Sequence, residues 1–99
     1  MKQYLALFNP LDFTPQDAVY VVDSLDGVAN WLRFFDNVVC FLSDRDAHHL
    51  TSQINILAPN RQFLVVELSG ANKNGMLVQQ VWDFINQNTA LISSSRAGD

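Results

Sequence analysis

Residues 31–43 read WLRFFDNVVCFLS, two apolar runs hinged on Asp36-Asn37. A tight polar pair between two runs rich in β-branched and aromatic residues is a β-hairpin signal. The spacing predicts strands over 29–35 and 38–43. On either side of this hairpin the chain follows the same plan, a strand joined to a helix.

Upstream, residues 3–8 carry Tyr4, Ala6 and Phe8 on one side and Leu5 and Leu7 on the other, and Asn9-Pro10 ends the run. Apolar residues on both sides mark an interior strand. Thr14-Pro15-Gln16-Asp17 then offers an N-cap, a proline at the first helical position and an acid in the first turn. Ala18, Val21, Val22 and Leu25 recur at helical spacing, and Gly27 stands where a left-handed residue is wanted, so a first helix is predicted over 15–26.

Downstream, Ser43-Asp44-Arg45-Asp46 repeats the capping pattern. A second helix follows with Ala47, Leu50, Ile54 and Leu57 as its stripe, closed by Pro59-Asn60. Residues 62–69 are the most strand-like run, since Phe63, Leu64, Val65, Val66 and Leu68 leave only Glu67 polar among them. A polar loop over 70–75 precedes Leu77, Val78, Val81, Trp82 and Ile85, which predict a third helix over 76–87 with Trp82 buried. One domain over 1–88 is therefore expected, followed by a partly mobile tail over 89–99 in which Ala90 to Ser93 could add a short edge strand.

The order β-α-β-β-α-β with an added C-terminal helix is an α+β arrangement, the split βαβ plan of ferredoxin-like domains. Right-handed crossovers then give an antiparallel sheet of order 4-1-3-2 with the first two helices on one face. The opposite face is only partly covered by one further helix. In the fourth strand Leu64, Val66 and Leu68 are the purely apolar set and are expected under the helices. That leaves Phe63 and Val65 at the centre, and Glu67 at the rim, of an interface on the other face. A symmetric homodimer is the simplest cover.

Composition agrees with a covered surface. The chain of 99 residues is 48% hydrophobic and only 16% charged, below the usual quarter, so another chain is expected to cover some of its apolar surface. A net charge of −4 with six scattered Lys and Arg residues disfavours binding to a phosphate backbone. The lone Cys40 has no internal disulfide partner and fills core space. A reducing compartment fits. No stretch approaches the length of a membrane span, and Asn9-Pro10 interrupts the N-terminal apolar run too early for a signal peptide, so a cytoplasmic protein without membrane contact is expected.

The stretch FNP at 8–10, the hairpin WLRFFDNVVCFL and the run RQFLVVELSG at 61–70 before a Trp-bearing helix give the chain a resemblance to a known group. It resembles the small ferredoxin-like CRISPR-associated adaptation protein and its SinR-like and virulence-associated-protein-D relatives over residues 2–87. The resemblance implies a dimer and, in the nuclease members, a divalent metal held by an aspartate at the end of the first strand. Here Asn9 stands in that place. An amide is a poorer ligand for a hard cation than a carboxylate, which argues against metal-dependent cleavage.

The topology also gathers Asn9, Asp12, Asp36, Asn37 and Arg61 at one edge of the sheet. They could form a small polar site for a metal or phosphate, or serve only as turn and cap residues, the types such positions select anyway. His48-His49 invites a metal reading, but adjacent helical residues point about 100° apart, and a solvated pair is the simpler account. Glu67, if buried, would have a raised pKa and acid–base potential, yet no partner group can be named beside it. The loop over 70–75 matches neither the dinucleotide nor the P-loop spacing. No catalytic residue, metal or cofactor is assigned. The favoured reading is a non-enzymatic self-associating module that binds a protein partner or small ligand. The alternative is a metal-dependent nuclease using Asp12 or Asp36.

Overall fold

The computed structural model describes residues 1–69 and 75–92. Its elements are β1 (Lys2–Phe8), α1 (Pro15–Ser24), β2 (Val28–Phe35), β3 (Val38–Ser43), α2 (Ala47–Leu57), β4 (Phe63–Glu67) and α3 (Gln79–Ile92). The strands form one antiparallel sheet in the order β2-β3-β1-β4. The hairpin turns at Asp36-Asn37 and pairs Trp31 with Phe41 and Leu32 with Cys40, with irregularities between Val28 and Asn30 and between Arg33 and Phe35. β1, apolar on both sides, is an interior strand.

The caps act as their residue types dictate. The Thr14 hydroxyl accepts from the Asp17 N–H at 3.1 Å while the Asp17 carboxylate accepts from the Thr14 N–H at 3.0 Å, a reciprocal capping box. The bond from the Thr14 backbone, followed by the one from its side chain, holds the Asp17 carboxyl below its ordinary pKa. Asp46 caps α2 by accepting from the His49 N–H at 2.8 Å. Past the end of α1, Gly27 takes a φ of 82°, in the left-handed region that a side chain disfavours.

α1 and α2 seal one face of the sheet. Tyr4, Ala6 and Phe8 of β1, Val39 and Phe41 of β3 and Val65 of β4 pack there with Ala18, Val21 and Val22 of α1, Leu25 just beyond it, Leu50 and Ile54 of α2, and Ala58. Leu57 is exposed and Ala58 takes its expected place in the core, because the position four residues after Ile54 continues the buried stripe.

The strand-four faces are the reverse of the expectation. Phe63 and Val65 lie under the helices, whereas Leu64 and Val66 are 57% and 38% exposed on the opposite face. Register decides this, since β4 pairs Ala6 with Val65 and Phe8 with Phe63, and directly paired residues share a face. The inward side of β1 is set by Tyr4, Ala6 and Phe8. Glu67 shares the parity of Val65 and stays exposed at the last rung of the strand. Phe63 and Val65 therefore cannot centre an interface on the open face.

α3 lies on that second face. Val81 and Ile85 are buried, the buried Gln3 side chain donates to the Ile85 carbonyl at 3.4 Å, and Phe84 meets Phe34 edge-on at 6.5 Å. Trp82 is only half-buried and Val78 is exposed, so the stripe is narrower than the sequence suggests. The helix packs on β1 and β2, which straddle β3, and among the described residues Leu64 and Val66 of β4 stay exposed on this face. It starts at Gln79 rather than at 76 and runs to Ile92. Ala90 is thus helical rather than part of an edge strand, and Ser93 lies outside the described residues.

Candidate functional site

Asn9, Asp12 and Asn37 spend their hydrogen bonds on Gln62, Leu11 and Phe13 rather than on one another. Asn9, just past β1, accepts from the Leu11 N–H at 2.9 Å and donates from Nδ2 to Oε1 of Gln62 at 2.8 Å. Its own N–H donates to the Gln62 carbonyl at 3.0 Å. Asp12 accepts from the Gln62 N–H at 2.8 Å, and the Asn37 side chain donates to the Phe13 carbonyl at 3.0 Å. Arg61 lies 5.4 Å from the Phe13 ring centroid and 3.9 Å from Asp17. These bonds stitch the β1–α1 loop to the hairpin turn and to the start of β4, which is turn and cap chemistry. Asp36 stays exposed at the turn. Among the described residues no group of three or more His, Cys, Asp or Glu is placed to hold a metal ion.

The other sequence candidates do not converge. His48 and His49 are exposed, and Nε2 of His49 meets the Gln53 amide nitrogen at 3.1 Å. The Tyr4 hydroxyl donates to the Arg45 carbonyl at 2.6 Å, and its pKa is raised by burial first and by the charges of Glu67 and Asp46 after that. Residues 70–74 of the loop compared with phosphate-binding loops lie outside the described residues.

Two surfaces were not read from the sequence. The first is the open strip on β4, where Leu64 and Val66 sit beside the half-buried Leu7 and Leu5 with which they pair. The second is a groove of about 560 Å³ between α1 and β2. Its walls include the exposed Tyr20 and the half-buried Trp31, whose indole N–H donates to Asp23 at 3.0 Å. The signal for this groove was Tyr20, a large aromatic standing off the buried stripe of its own helix.

No helix of the described residues is long and apolar enough to cross a membrane. The described residues thus form an α+β fold built on a four-stranded antiparallel sheet with three helices, and comparison with known protein families, curated proteins and solved structures gives no match.

Proposed function

We propose that the chain is a non-enzymatic, self-associating module of the ferredoxin-like type, a cytoplasmic homodimer that receives a protein partner or a small ligand. The observation that carries the reading is the pair Leu64 and Val66, exposed on a strand whose outer side is unpaired among the described residues. A bare apolar edge invites pairing with another chain, and a second copy supplies the same strand in symmetric form. The strand order supports the ferredoxin-like assignment. As a relative of the small CRISPR-associated proteins the chain would be one that has lost the metal-binding aspartate: Asn9 donates from its amide to Gln62, a role a carboxylate cannot fill.

Light scattering at tens of micromolar tests the proposal. A dimer is expected, and Leu64→Asp is expected to shift it to monomer with the far-UV circular dichroism unchanged, since Leu64 contributes little to the core. A wild-type monomer, or a dimer indifferent to Leu64→Asp, would show that this strip is not an interface.

A further inference from the structure

The second edge of the sheet is β2, and the groove runs along it. Three consecutive residues, Trp31, Leu32 and Arg33, line that groove opposite Val19, Tyr20 and Asp23 of α1. Side chains of consecutive strand residues point to opposite faces, so contact with all three means that the groove follows the strand's backbone edge. The Trp31 N–H donates to Oδ1 of Asn30 at 2.9 Å and therefore points away from β3. Both main-chain groups of one residue in an antiparallel strand point the same way, and residues two apart repeat that direction. Trp31 thus offers its C=O, and Arg33 its N–H and C=O, to an edge left unpaired among the described residues, within the regular stretch that pairs residues 30–33 with 42–39, while the Trp31 N–H stays with Asn30.

The charges along this edge are asymmetric. Asp23 is already engaged by the indole of Trp31. Arg33 is exposed and belongs to none of the ion pairs found among the described residues. Trp31 and Arg33 lie two positions apart, roughly 7 Å along the strand. An incoming strand repeats its same-face side chains at that interval, so one of them reaches the Tyr20–Trp31 wall when another two positions away reaches Arg33.

We propose that this edge binds an extended peptide segment of a partner protein as a fifth strand. An apolar side chain enters the groove between Tyr20 and Trp31, and an acidic side chain two positions away pairs with Arg33. Main-chain bonds to the Trp31 C=O and to the N–H and C=O of Arg33 hold the segment, the groove selects the apolar residue, and the guanidinium selects the acid. β2 and β4 are opposite edges of the sheet, so the inference is independent of self-association through β4.

The test is selection from a displayed library of random heptapeptides against the full chain, followed by titration of the enriched peptides. Enriched sequences are expected to share an apolar and an acidic residue separated by one position, and to shift the backbone amide resonances of Trp31 to Arg33. Arg33→Glu is expected to weaken the selected peptide at least tenfold, and a peptide carrying Lys in place of its acid is expected to recover binding to that variant. No enrichment, a motif of different spacing, or failure of the charge-swapped pair to bind would overturn the proposal. Arg33 is exposed, so the variant keeps the fold, and the Leu64→Asp variant should bind the same peptides unchanged.

Discussion

Replacing Phe41 by alanine is expected to cost about 4 kcal/mol of folding free energy, within the range for losing a fully buried ring. Phe41 is inaccessible to solvent at the middle of β3, and it stacks on Tyr4 with ring centroids 5.5 Å apart and planes at 24°. Removing it leaves a cavity under α1 and α2, bounded by backbone that cannot follow the lost ring. A domain of this size has only about 5–15 kcal/mol of net stability, so the variant should have a much lower urea midpoint than the wild type. Leu64→Ala is the internal comparison, a large apolar residue on the uncovered side of the same sheet, and its midpoint should barely move. Equal shifts for the two variants would mean that the helices do not seal the Phe41 face.

Stability is expected to fall with rising pH above about 8.5, the ordinary pKa of a free cysteine, and Cys40 is the first cause. Burial pushes its thiol up to about 12, opposed by a weaker backbone hydrogen bond from Phe41. Between those values the unfolded chain releases the Cys40 proton while the native chain keeps it. The unfolded state then binds fewer protons, and stability drops by about 1.4 kcal/mol per pH unit from this group until the native thiol itself ionises. Tyr4, also raised by burial, adds to the fall above about pH 10. Denaturation of Cys40→Ala should show a flat profile between about pH 8.5 and 10 where the wild type declines. Parallel declines would place the responsible group elsewhere. Alkylation gives a second measure, because a thiol held near 12 is roughly a thousandfold poorer in thiolate than one near 9 at any pH below about 8.

The elements were legible because their signals are local. Thr14-Pro15-Gln16-Asp17 starts α1, Asp36-Asn37 turns the hairpin, and the two-sided apolar pattern of β1 places it inside the sheet. The facing of β4 was not local. Its two side-chain sets are almost equally apolar, and choosing the set without Glu67 for the core ignores that a strand's last rung can lean into water whichever face it belongs to. The deciding information is the pairing of Ala6 with Val65, a contact between residues far apart in the chain. The same limit applies to α3, whose apolar residues Val78, Val81, Trp82 and Ile85 fit the helical period while of these four only Val81 and Ile85 are buried. Of the polar edge expected from topology, Asn9 and Asp12 meet at Gln62. The chemistry of that edge depended on Gln62, whose side chain and backbone tie Asn9 to Asp12 and which nothing in its neighbours marks out.

The strand order also sets a schedule for assembly. β2 and β3 are joined by two residues, so their pairing closes the shortest loop in the sheet, whereas β1 must wait first for β3 and then for β4, with which it pairs Tyr4 to Glu67 across most of the chain. Loop-closure entropy makes the distant pairing the slower one. Of the four strands β1 is made first during synthesis and completed last, and until β4 arrives its second edge is as unpaired as the outer edge of β4 is afterwards among the described residues. Pulse-labelled hydrogen exchange during refolding should find the hairpin amides protected before those between β1 and β4, and simultaneous protection would mean that the sheet closes in a single step. An incomplete chain and a finished one would then offer the same kind of apolar strand edge at different moments, so that the pairing between copies proposed for β4 would compete with folding before it could become assembly.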